Sequence, residues 1–230
     1  MQPIEELWAS RNEKEWSDAL ARYWKMRTVL KKLELEKYMD KLDPQAIKRL
    51  EGSEWYAFLE KYFCWKFDGN YLSLRLNNLK SNSPEQLFRV RESLFALTEI
   101  DLANIRKPLN TVKSPQIKGL GYAGASGLLA VLFPKSFGTA DKFVVRALCK
   151  IVSLPERSEV LVMAQTDAKG KDVPLNEKNA ALLIDIMRRK ATDLNALFGP
   201  DKWTPRMIDM ILWASPRDGA DARCLSQATS

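Results

Sequence analysis

Histidine is absent from all 230 residues. That excludes histidine triads, imidazole acid–base chemistry and most catalytic zinc sites. Proton work must fall to Asp, Glu, Lys, Tyr or water. Cysteine is scarce: Cys64, Cys149 and Cys224 stand far apart without paired spacing. They suit neither a disulfide framework nor a four-cysteine cluster, and predict reduced, mostly buried thiols in a cytoplasmic protein. No apolar run approaches the roughly 20 residues of a membrane helix, so no membrane partner is expected. The opening Met1-Gln2-Pro3-Ile4-Glu5-Glu6 is acidic and lacks an apolar signal core. Internal repeats and convincing strand pairs are also missing.

What is present is an ordinary globular composition. Apolar residues make up 46%, with seven Trp, enough for a full core in one large or two small domains. Lys and Arg exceed Asp and Glu, 36 against 29, giving a net charge of +7. Such an excess suits a polyanionic partner bound in a salt-sensitive way, although mild basicity alone does not decide it.

The chain reads as all-α. Trp8, Trp16 and Trp24 share a broad face of one long N-terminal helix, as core packing rather than a stacking ladder. Asp43-Pro44 breaks that region. A helix is predicted from Ser53 to about Trp65, and Asp68-Gly69-Asn70 reads as a surface turn. Ser83-Pro84-Glu85-Gln86 carries an N-cap, a first-turn Pro and a capping-box Gln. A short helix over 101–106 is expected to end at Lys107-Pro108, and another to begin near Leu154-Pro155-Glu156. Lys169 to Pro174 reads as a loop, Glu177 to Phe198 as a long amphipathic helix, and Thr204-Pro205 as the cap of a last helix. Arg188-Arg189-Lys190 reads as a solvated helix face, and the tail after Pro216 as small, polar and disordered.

Between the helices stands Ile117-Lys118-Gly119-Leu120-Gly121-Tyr122-Ala123, followed by Thr139-Ala140-Asp141-Lys142-Phe143-Val144-Val145-Arg146. Two glycines permit a tight turn whose backbone can approach a phosphate, and a helix starting near Tyr122 points N–H groups at it. Asp141 follows Gly119 by 22 positions and opens the next helix. Bland readings exist for each residue. Asp141 is a favoured N-cap on its own account. Gly119 and Gly121 can form a plain helix–helix turn. Lys118 and Lys142 can be solvated, and Arg146 can brace the loop or pair with phosphate.

Taken together, these residues resemble the helix-hairpin-helix DNA glycosylases. The matching positions are Ile117, Gly119, Leu120 and Gly121, the alanine-rich helix Ala123 to Leu132, then Asp141, Val144 and Arg146. The resemblance implies a two-lobed all-α fold. Residues 45–138 would form the lobe carrying the hairpin, and residues 1–44 and 139–230 the second lobe with the catalytic-Asp helix. It implies that Asp141 is the catalytic carboxylate, and that Lys118, Gly119, Leu120, Gly121, Tyr122 and Arg146 contact double-stranded DNA. A flipped base would be held by aromatics, with Trp65, Tyr122, Phe143 and Trp213 as candidates, and a wedge could ride on Asp68-Gly69-Asn70. The chain departs from the pattern in two ways. Ala123 stands where bifunctional relatives place a Schiff-base lysine, so a monofunctional enzyme without lyase activity is expected. The iron–sulfur cysteines of many relatives are missing, so no cofactor or metal is expected beyond room for a monovalent cation at the hairpin. A monomer is expected. Phe63-Cys64-Trp65-Lys66 and the run Trp203 to Trp213 also resemble a bacterial group of anti-phage glycosylases acting on modified cytosine, including glucosylated hydroxymethylcytosine. Repair of an oxidised, alkylated or mismatched base is the alternative substrate. A non-catalytic hairpin DNA-binding protein is the alternative function, and a helical protein–protein scaffold a third.

Overall fold

The computed structural model describes residues 2–166 and 174–215. Those residues are mostly helical and contain no strand. The expected loop at Lys169 to Pro174, Pro174 excepted, lies outside them, as do the tail from Pro216 and Cys224. No helix among them is long and apolar enough to cross a membrane.

The N-terminal region differs from the single helix predicted. It is four pieces: α1 (Ile4–Ala9), α2 (Glu13–Trp24), α3 (Arg27–Leu30) and α4 (Leu33–Asp40). The first break lies at Ser10-Arg11-Asn12, where side chains compete for the backbone. Ser10 Oγ accepts from Asn12 N, and Asn12 Oδ1 accepts from Lys14 N to cap α2. The aromatic face still packs inward: the Trp16 ring lies 6.2 Å from that of Trp8 and 6.1 Å from that of Trp203.

Next come α5 (Pro44–Arg49) and α6 (Gly52–Lys66), the latter opened by a Glu51/Glu54 capping box. The predicted turn at Asp68-Gly69-Asn70 is instead the start of a helix, α7 (Gly69–Lys80). Gly69 enters it with φ +55°, a conformation glycine adopts freely. Then follow α8 (Pro84–Phe95), capped by Ser83 as its sequence signals, and α9 (Glu99–Ala103). Lys107-Pro108 does not end a helix as predicted but lies in the first turn of α10 (Arg106–Val112). Pro is tolerated there because first-turn N–H groups have no intrahelical partner.

The hairpin turn leads into α11 (Tyr122–Leu132), and an extended stretch then reaches α12 (Lys142–Leu148). The chain continues through α13 (Arg157–Met163), α14 (Glu177–Phe198) and α15 (Pro205–Trp213). A single buried cluster runs from Ile4 to Leu212, and a smaller one joins Tyr23 and Val29 to Met210 and Ala214. N-terminal and C-terminal helices therefore pack against one another.

On α14, two of the three basic residues predicted to be solvated are not. Arg188 donates to the carbonyls of Leu102, Ala103 and Ser136, tying the C-terminal end of α9 to the loop after α11. Lys190 Nζ lies 4.8 Å from the Trp8 ring and 5.2 Å from the Trp16 ring, and its half-burial lowers its pKa below that of an ordinary lysine. Their long stems let helix-surface positions reach back over the apolar core. Arg189 stays outside, pairing with Asp185 and Glu156.

Candidate active site

Asp141 is held by three elements. Before it, Gly138 passes so close to α15 that an added Cβ would stand 2.6 Å from Pro205 O. Thr139 N donates to Asp209 Oδ2 at 2.6 Å, and Ala140 N to Ser126 Oγ at 2.9 Å, which fixes the extended stretch to α15 and α11. Asp141 then caps α12, its Oδ1 accepting from Phe143 N at 2.9 Å and Val144 N at 3.3 Å. Its second oxygen faces Lys66 Nζ, at 3.2 Å, from the last residue of α6. The two side chains are only 13% and 14% exposed.

The pair lies on the wall of a cavity of about 240 Å³. Trp65, Phe143 and Trp213, three of the four aromatics predicted for a base pocket, share that wall with Asp141. The Phe143 and Trp213 rings meet edge to face at 5.6 Å. Tyr122, the fourth, does not line this cavity. It begins α11, with the Lys113 ammonium 4.9 Å above its ring. The volume suits a single planar group with a substituent better than the larger ligands that fill sites of roughly 300–1,000 Å³.

Behind the aromatics lies a buried polar network that sequence reasoning missed. Glu36 accepts from the Tyr23 hydroxyl, from Trp65 Nε1 at 2.6 Å and from Arg206 Nη2 at 3.2 Å. Arg206 Nη1 also donates to both Asp209 oxygens, at 2.9 and 3.1 Å. The guanidinium lies 5.2 Å from the Trp65 ring centroid. Burial raises the Asp209 carboxyl above the usual range, against the opposing pull of Arg206. Burial likewise raises the Tyr23 phenol. The Thr139 hydroxyl, also lining the cavity, is buried without a hydrogen-bond partner among the described residues. One sequence signal could have exposed this network: Arg206 and Asp209 stand three apart on a helix that is otherwise almost wholly apolar. Lys66 carried no such signal, because nothing local marks which residue at the end of α6 turns inward.

Lys32 also lines the cavity, but its ammonium is committed elsewhere. It donates to the carbonyls of Cys64, Trp65 and Phe67 and pairs with Asp68 Oδ1 at 2.6 Å, closing the C-terminus of α6.

The hairpin stands apart from the cavity, across α6 and α11. Ile117 and Leu120 are buried and anchor the turn in the core. Gly119 has φ +99°, and a Cβ there would meet Phe63, Arg75 and Asn78 at 3.0–3.3 Å. A Cβ at Gly121 would meet nothing within 4 Å. Among the described residues no side chain caps the start of α11. Lys118 folds back along the surface: its backbone N–H donates to Asn82 Oδ1 and its ammonium to Ser81 O at 2.8 Å. Arg146 is half-buried in the last turn of α12 and is not part of the cavity lining. The turn carbonyls of Ile117, Gly119 and Leu120 accept from Leu120 N, Arg75 Nη1 and Ser114 N. Arg75 thus already brings a positive charge to Gly119 O.

The chain matches no protein-family model, no curated protein and no solved structure.

Proposed function

We infer that this chain is a monofunctional DNA glycosylase of the helix-hairpin-helix type, which flips a modified or damaged base into the Asp141 cavity and hydrolyses its N-glycosidic bond. The observation that carries this reading is the meeting of Asp141 with Trp65, Phe143 and Trp213 around one small, partly polar cavity. A flipped base needs flat apolar walls for stacking and polar groups for its edge. Breaking the bond builds positive charge on the deoxyribose, which a nearby carboxylate stabilises and which water then attacks. Asp141 divides its two oxygens: its cap uses Oδ1, while Oδ2 accepts from Lys66 and takes no part in the cap.

DNA would be gripped by the uncapped first turn of α11 and the open face beside Gly121, as backbone contacts carrying no sequence information. The two-lobed arrangement, with residues 45–138 facing the rest across a cleft, belongs to the same reading. So do action as a monomer on double-stranded DNA, a cytoplasmic setting and the absence of a lyase step. Modified cytosine in phage DNA is the favoured substrate and antiviral defence the favoured role, on the residues quoted for that resemblance. Repair of damaged bases is the alternative.

A second reading has one observation behind it. The N-cap bonds alone account for an Asp at position 141, so a DNA-binding protein without chemistry would look the same there. The test is to incubate the protein with duplexes carrying modified, damaged and ordinary bases and to count abasic sites. A glycosylase generates them from at least one base. DNA binding without abasic sites would favour the binder.

A further inference from the structure

We propose that Lys66 is a catalytic residue that faces the departing base and balances the negative charge it acquires. The inference rests on the glycosylase reading, but on observations of its own. When the C1′–N bond breaks, its electron pair leaves with the base. In the ring of a pyrimidine that charge is shared with the adjacent carbonyl oxygen, while positive charge stays on the sugar. The site therefore needs a cation on the base side opposite the carboxylate on the sugar side.

Three cations line the cavity. Arg206 is buried and held between Glu36 and Asp209. Lys32 is bound to three carbonyls and to Asp68. Lys66 makes one hydrogen bond, to Asp141, and lies 6.0 Å from the Trp65 ring centroid. Two of its three ammonium hydrogens thus have no acceptor among the described residues. It stands beside an aromatic wall suited to stacking, within reach of the carboxylate that faces the sugar. With no histidine in the chain, another neutralising group is required, and Lys66 is placed to be it.

The balance closes simply. The base leaves as an anion hydrogen-bonded to Lys66 and takes its proton from solvent. Water adds to C1′ and releases its proton to solvent past Asp141. Lys66 ends as it began.

Two measurements separate this role from that of a mere brace for Asp141. The first is base release, from whichever DNA of the panel the wild type cuts. The second is binding to a duplex with a cationic pyrrolidine in place of one nucleotide, which mimics the sugar cation and has no leaving base. Lys66→Met should slow base release about a hundredfold or more, as loss of one charge-stabilising donor does elsewhere. It should leave pyrrolidine-duplex binding unchanged or tighter, since a like charge is removed. Lys66→Arg should recover part of the rate. Asp141→Asn should lower both. If Lys66→Met instead weakens pyrrolidine binding as Asp141→Asn does, or leaves base release intact, the proposal is wrong. If the wild type binds the pyrrolidine duplex no better than a neutral abasic one, the glycosylase reading itself fails. Should Lys66→Met not fold, Lys66→Arg, which keeps the charge, and Lys66→Gln, which removes it but keeps a polar end, decide by the same two measurements.

Discussion

Arg206 Nη2 lies 3.2 Å from Glu36 Oε1, joining the last helix to a carboxylate 170 positions earlier, and the side chain of each is only 7% exposed. The same guanidinium holds Asp209, which in turn accepts from Thr139 N two residues before Asp141. The fold's N- and C-terminal ends and the backbone entering the candidate site therefore share one buried cation.

Removing that cation should be costly. Arg206→Met leaves Glu36 and Asp209 buried without their counter-charge and should lower unfolding free energy by about 3–5 kcal/mol in urea denaturation. The deficit should shrink on acidification. Asp209 has its carboxyl raised above the unfolded value, so its contribution is most favourable below the unfolded pKa and is lost as pH rises through the folded one. A variant within 1 kcal/mol of wild type, or one whose deficit grows in acid, would contradict this account of the network.

The two hairpin glycines should behave differently. Gly119→Ala forces a side chain into a left-handed backbone against Phe63 and Arg75, and should lower the melting temperature by several degrees. Gly121→Val meets open space, so the fold should survive while affinity for all DNA sequences falls together. Thermal melts and titrations of two unrelated duplexes measure both. Undiminished binding by a folded Gly121→Val would remove the turn from the DNA contact.

Product chemistry is the third prediction. On the proposed reading Ala123 stands where bifunctional glycosylases carry a Schiff-base lysine, so borohydride should trap no protein–DNA adduct, and strands should break only after alkali. A strong adduct that disappears in Lys66→Ala would show that the amine beside Asp141 attacks C1′ itself, and the monofunctional reading would be withdrawn.

Much of the fold was legible locally. Ser83-Pro84-Gln86, Thr204-Pro205 and Asp141 announce helix starts because capping is chemistry within three residues. The run from Glu177 to Phe198 shows its helix through periodicity alone. The N-terminal region misled because the Trp spacing fits one continuous helix, while the short breaks at Ser10–Asn12 and Lys25–Met26 leave the packing face intact. In the site, Asp141 and three aromatics could be named beforehand. Arg206 and Asp209 left a local trace as two charges three apart on an otherwise apolar helix, whereas Glu36 and Lys66 left none, since their partners are distant in sequence and only folding brings them into contact.

If the favoured substrate is right, expression in bacteria should reduce plaques of phages whose cytosines carry glucosylated hydroxymethyl groups and spare phages with plain cytosine. Equal plating on both, with release of a damaged base by the purified protein, would move the role to repair.

The central claim is that Asp141 performs chemistry rather than only capping α12. Asn caps helices about as well as Asp, so Asp141→Asn should keep the fold and DNA affinity while removing the charge. The deciding measurement counts abasic sites formed by wild type and Asp141→Asn on the same panel of modified and damaged duplexes. The account predicts base release by the wild type and a loss of about a thousandfold in the variant. Equal release by both proteins would contradict it.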